Sequence, residues 1–358
     1  MKVIVLVSLL LALLALVFPI LTALAAPVAA DAPVSSAPEL YYSASQTPSP
    51  AVSPSSAPSS SSAPSVPAAS SDASVSLKVL DGGEVKSMSL ADYLPGAVAA
   101  EMPASFEPQA LRAQAAAIRT YVLYRQRVSP SGSHPQADVC TDSACCLAWS
   151  SEDALREKWG SDYAAYSEKI RSAVSDTDGV WIAWSGEPVL AAFHSSSAGK
   201  TEDSSAVWGS SLPYLVSVST PETAQEVPNY VAGVTVSADD FSSAIRTAFP
   251  GADLSGGPAS WIGASVYDAA GRLSSVSIGG ASVSGTALRS LFSLRSAAIA
   301  IAAADGAVTL TCTGYGHGVG MSQYGANVLA SQGRTWKEIL AWYYPGTELR
   351  SGTGGAVS

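Results

Sequence analysis

Tyr93-Leu94-Pro95-Gly96-Ala97-Val98-Ala99-Ala100-Glu101-Met102-Pro103-Ala104-Ser105-Phe106 is the stretch on which the reading of this chain turns. Just ahead of it, Ser89-Leu90-Ala91-Asp92 has capping-box spacing, so a helix is predicted from about Leu90 to Met102, where Pro103 disfavours helical geometry in the residue before it. Glu101 then stands alone among apolar neighbours at the helix C-terminus. Apolar surroundings and the negative end of the helix dipole both disfavour ionisation, so its carboxyl should keep a proton to higher pH than usual. A general acid needs that property. The alternative is a structural ion pair between Glu101 and Arg112 or Arg119.

Downstream, Glu107-Pro108 opens a second helix with proline at an allowed first-turn position, and Leu111, Ala115, Ile118 and Val122 form an apolar stripe along it. Upstream, Ser76-Leu77-Lys78-Val79-Leu80 alternates like a strand, and Asp81-Gly82-Gly83 supplies a hairpin turn. Residues 180–184 and 189–193 read as a hairpin about Gly186, and residues 265–267 and 273–278 as strands about a turn at 268–271. Helices are expected at 323–331 and after Thr335. Segregated helices and antiparallel strands make the fold class α+β, in one or two subdomains.

The outer segments differ from this core. Between Lys2 and Asp31 no charge occurs, and residues 1–26 have the length of a membrane-crossing helix, although Ala23-Leu24-Ala25 resembles a signal-peptidase site. That segment is expected to be a membrane anchor or a signal peptide. Residues 27–75, dominated by Ala, Ser and Pro, are expected to be a disordered linker, residues 76–350 the folded domain and residues 351–358 a flexible tail. With a net charge of −10 and no basic run able to track phosphates, nucleic acid is excluded as a partner.

Other residue groupings carry chemistry of their own. His134, Cys140 and Cys146 stand as H-x5-C-x5-C with Asp138 and Cys145 nearby, which suits either tetrahedral zinc or a Cys140–Cys146 disulfide. Cys312 sits in an apolar strand and reads as a buried free thiol. The run Phe193-His194-Ser195-Ser196-Ser197 lacks the turn motif of a serine hydrolase. Residues 314–323 are glycine-rich, but no lysine follows to make a phosphate loop. Glycines there let backbone approach a ligand, while Tyr315, His317, Gln323 and Tyr324 offer rings and amides suited to sugars.

Four blocks together resemble the stage II sporulation protein D family, which includes the amidase-enhancer proteins. They are residues 93–106; Ala113-Gln114-Ala115 with Arg119-Thr120-Tyr121; Phe193-His194-Ser195-Ser196-Ser197-Ala198-Gly199-Lys200-Thr201-Glu202; and Gly316-His317-Gly318-Val319-Gly320-Met321-Ser322-Gln323-Tyr324-Gly325-Ala326. The resemblance implies a peptidoglycan lytic transglycosylase, cutting between N-acetylmuramic acid and N-acetylglucosamine to leave 1,6-anhydro ends, with Glu101 as catalytic residue. It implies a glycan-binding groove with Arg119, His194, Ser195, His317, Gln323 and Tyr324 as substrate-binding residues, and a structural zinc ion held by His134, Cys140 and Cys146. Cys145-Cys146-Leu147 stands where relatives often have His-Cys-Gln, which leaves the fourth ligand open, and Ala198 replaces a common glycine. Denuded glycan strands, a peptidoglycan amidase and a membrane scaffold protein are the implied partners, at the extracytoplasmic face of the membrane or secreted. A non-catalytic glycan-binding enhancer of an amidase is the alternative, and an ordinary muramidase would need a second carboxylate from Asp92, Glu107 or Glu202.

Overall fold

Ser89 caps its helix as the spacing predicts: its hydroxyl accepts from the Asp92 N–H at 3.1 Å, and the helix spans Leu90–Glu101. The helix stops as Met102 turns extended ahead of Pro103. In the computed structural model, residues 71–128, 134–352 and the backbone of 355–356 are described. The apolar segment 1–26 and the linker as far as residue 70 lie outside them; no helix among the described residues is long and apolar enough to cross a membrane. Residues 71–75, read as the end of the linker, belong to the fold: Asp72–Ser74 is a short 3-10 turn with Asp72 buried.

The architecture is mixed α+β, built on two hydrophobic cores within the unit Pro64–Ser358. The first core surrounds the Pro108–Arg127 helix. Its predicted stripe of Leu111, Ala115, Ile118 and Val122 is fully buried, and so are Ala113, Ala116 and Ala117 on its other sides. Alanine makes that possible, because small side chains let neighbouring helices approach from several directions at once. The Leu90–Glu101, Tyr163–Ser175, Gln323–Ser331 and Trp336–Tyr343 helices and the Val180–Trp184 strand pack around it. Strands Ser76–Asp81 and Glu84–Ser89 form the expected hairpin, extended by Val139–Cys140 in parallel.

The hairpin expected about Gly186 is shorter than its pattern suggests. Its second arm is only Glu187–Pro188, since proline has no N–H with which to continue a ladder. The chain then leaves the sheet, in which Val180–Trp184 pairs on its other side with Glu348–Ser351 and the far edge is Gly355–Ala356, and Phe193–His194 pairs in parallel with Met321–Ser322 instead.

The second core is an excursion of the chain between Tyr230 and Gly314. Two antiparallel three-stranded sheets, one of Val231–Ser237, Ala307–Thr313 and Ile299–Ala304, the other of Ile262–Tyr267, Leu273–Ile278 and Ala281–Val283, enclose Phe241 and Phe292, stacked at 5.1 Å. The Gly314 N–H donates to Tyr230 O at 2.8 Å and closes the neck of the excursion. One strut from it reaches back to the first core. Arg272 donates to His317 O at 2.6 Å and Gly316 O at 3.1 Å, and its Nε lies 3.4 Å from Glu202. A Cβ on Gly318, where φ is +86°, would lie 2.6 Å from the guanidinium carbon, so glycine is required twice over.

Candidate functional site

Glu101, the last residue of its helix, opens onto a groove of about 640 Å³. Burial raises its carboxyl above the ordinary carboxylate range, and the Ala148 N–H, donating to Oε1 at 2.6 Å, opposes that rise. Neither arginine considered as a structural partner reaches it. Arg112 pairs with Asp176 at 2.6 Å, while Arg119 is 1% exposed and binds both oxygens of Asp72 at 2.7 Å, together with Thr177 and the carbonyls of Val174 and Val180. Arg119, expected to touch substrate, therefore lies sealed in the first core as one half of a buried ion pair.

The opposite wall comes from the far end of the sequence. Ser322 caps the Gln323–Ser331 helix by accepting from the Gly325 N–H. Gln323 Nε2 then donates at 2.9 Å to the main-chain carbonyl of Glu101, satisfying one of the acceptors left over at a helix end. Tyr324 packs edge-on against Phe106 at 4.9 Å, and its N–H donates to Ser195 O at 3.0 Å. Of the expected substrate residues, Ser195, Gln323 and Tyr324 thus meet Glu101 at the groove.

His194 and His317 stay behind that wall. His194 is buried; its Nδ1 donates to Val319 O at 3.2 Å and its Nε2 accepts from the Ser197 hydroxyl at 2.6 Å. Burial, with His317 and Arg272 adding, holds it far below its ordinary pKa, so it is neutral. Ser197 is fully buried, and the pair has no access to substrate. His317 accepts from the Val319 N–H at 3.1 Å and is pushed down to about 4, by burial first and then by Arg272 and Arg289. Both imidazoles support the glycine-rich segment from within.

Residues the sequence did not single out complete the groove: Trp159, Tyr166 and Lys158, joined by Tyr315 from the glycine-rich block. Trp159, Tyr163 and Tyr166 recur at helical spacing, which was the available signal. Lys158 is exposed and is the one cationic side chain among the described lining residues, as Glu101 is the one carboxylate. Asp92, Glu107 and Glu202 do not line this groove.

Beside it, His134, Cys140, Cys145 and Cys146 bring one imidazole nitrogen and three sulfurs within 4.8 Å of one another. All four cysteines of the chain are free, so Cys140 and Cys146 are not joined. His134 Nδ1 is engaged by Ala137 O at 3.1 Å, which leaves Nε2 directed at the sulfurs, 3.1 Å from Cys146. A histidine fixed in this way among three thiols fits a four-coordinate zinc ion, with Cys145 in the open ligand position. Cys312, as expected, is buried in the second core. The cluster's loop continues directly to Ala148, the donor to Glu101.

Fold and site together define a mixed α+β protein whose groove, walled by aromatic rings, holds one proton-retaining carboxyl next to a His/Cys cluster. The family model described as stage II sporulation protein matches residues 81–184. The chain is 36% identical over 281 residues to stage II sporulation protein D of Bacillus amyloliquefaciens, covering 78% of this chain and 79% of the relative. It is 34% identical to the protein of that name from Bacillus subtilis strain 168, with 78% and 80% covered. An amidase enhancer of the same strain is 28% identical over 308 residues, which cover 72% of this chain and 40% of the enhancer. The chain belongs to the stage II sporulation protein D family.

Proposed function

We propose that this protein is a lytic transglycosylase that cleaves peptidoglycan glycan strands between N-acetylmuramic acid and N-acetylglucosamine. The observation that carries the reading is a single carboxyl, held toward its protonated form, in a groove walled by rings. Glu101 protonates the glycosidic oxygen as the C1–O bond breaks. The resulting carboxylate takes the proton from the muramic C6 hydroxyl as that oxygen bonds to C1, giving the 1,6-anhydro end. No water enters, so no second carboxylate is needed. A hydrolase would place a partner carboxylate about 5–9.5 Å away, and among the described residues lining the groove there is none.

Lys158 supports denuded strands as the substrate. The lactyl carboxylate of muramic acid is free only after the stem peptide has been removed, and a lone ammonium in the groove of a chain of net charge −10 suits that anion. An amidase is then the partner that prepares the substrate. The apolar segment 1–26 would hold the enzyme at the extracytoplasmic face of the membrane, or direct its secretion, during sporulation, beside a membrane scaffold protein. Zinc held by His134, Cys140, Cys145 and Cys146 would be structural, fixing the loop that carries the Ala148 donor.

The similarity to an amidase enhancer favours a second reading, in which the groove only holds glycan for an amidase. Incubating the protein and Glu101→Gln with denuded strands, followed by mass spectrometry, separates the two. Anhydro-muramic products from the native protein alone, and none from a folded, glycan-binding variant, are expected. Binding without products from either protein would establish the enhancer reading.

A further inference from the structure

A second cavity of about 360 Å³ adjoins the groove and shares Ala99 and Trp159 with it. Its floor is the outer face of the Leu90–Glu101 helix. A Cβ at Gly96 would lie 2.5 Å from Trp149 Nε1, so the absent side chain is what lets the indole lie against the helix, where it donates to Tyr93 O at 3.1 Å. Trp149, Trp159 and Tyr163 supply three rings, and Asp92, Glu152 and Arg171 bring charged groups to the lining. Trp159 is itself held in place, edge-on to Tyr166 at 5.6 Å and tilted against Tyr163 at 6.3 Å. The acid/base chemistry at Glu101 uses none of these groups.

We infer that this cavity is a second glycan subsite, which holds sugars of the same strand beyond those beside Glu101. The inference rests on the reading of the groove as a glycan site. A pyranose has C–H faces that pack on rings and equatorial hydroxyls that bond to carboxylates and guanidinium groups, and this lining provides both. Continuity identifies the occupant: the cavity opens beside Trp159, whose ring also lines the groove, so a polymer leaving the groove past that ring enters it.

The test uses the full-length protein with two substitutions on the Tyr163–Ser175 helix. Ser167→Trp fills the cavity and Arg171→Ala removes its cation; melting curves establish that both fold. Cleavage is compared on denuded tetrasaccharides and on strands several times longer. The variants should lose about tenfold in kcat/KM on long strands, a step of about 1.4 kcal/mol, and retain native rates on tetrasaccharides. Equal loss on both lengths, or native rates on both, would overturn the subsite. If the native protein cleaves neither length, the lyase reading fails separately, and affinity decides: a preference for long strands that persists unchanged in Ser167→Trp overturns the subsite, and one that disappears supports it.

Discussion

At the scale of single residues, the proposed chemistry concentrates on Glu101. Because burial raises its carboxyl, cleavage that needs the acid form should fall as pH rises through a value above the ordinary carboxylate range. Rate profiles should place that falling limb there and show no such limb for any residual activity of Glu101→Gln. The proposed role of Lys158 is different. Lys158→Ala should lower kcat/KM on denuded strands about fivefold, the scale of an exposed ion pair, and leave peptide-bearing strands unaffected, with Lys158→Arg restoring the difference. Equal loss on both substrates would remove Lys158 from carboxylate recognition.

At the scale of elements, the His/Cys loop and the glycine-rich block act on Glu101 through its surroundings. The loop presents the Ala148 N–H, so removing a metal ion held by its His/Cys cluster should release that donor. Metal analysis of the purified protein should find about one equivalent of zinc. Chelation should lower the melting temperature and shift the falling limb of the pH profile further upward, because the Ala148 hydrogen bond opposes the rise caused by burial. A metal-free protein with an unchanged melt would contradict the structural role. These elements also show how far the sequence could be read. Capping at Ser89, the Asp81-Gly82-Gly83 turn and the helix at Gln323–Ser331 rest on neighbours within a few residues, and each was legible. The shortened arm after Pro188, the parallel pairing of Phe193–His194 and the sealing of Arg119 by Asp72 depend on partners far along the chain, which local periodicity does not encode. His194 and His317 illustrate the same limit. Their residue types suggested substrate contact, whereas the burial of His194, and the packing of half-buried His317 against it at 5.7 Å with the Val319 N–H on its ring, assign them to the support of the wall.

At the scale of the whole molecule, the strut between the two cores has its own pH response. Glu202 is raised to about 7 by burial first and then by Asp268, with Arg272 opposing. Its folded-state value exceeds the unfolded one, so its contribution to stability is complete below about 4.5 and is lost as pH rises toward 7. Glu202→Gln stays neutral, and its melting temperature relative to the native protein should therefore climb as pH goes from about 5 to 8; a constant gap would show that Glu202 ionises in the folded state as it does in the unfolded chain.

The bond from Gln323 to the Glu101 carbonyl spans 222 positions of sequence. During synthesis, the ribosome must therefore add 222 residues beyond Glu101 to reach Gln323 before the second wall of the groove exists. A nascent chain that ends before residue 323 carries the acid but lacks Gln323 and Tyr324, and the carbonyl at the end of its helix has no partner from that side. Such late closure by a distant segment delays native assembly at any folding rate. The groove that the proposed cleavage would use thereby comes into being only once the segment carrying Gln323 and Tyr324 has been made, which keeps the acid without its second wall until then.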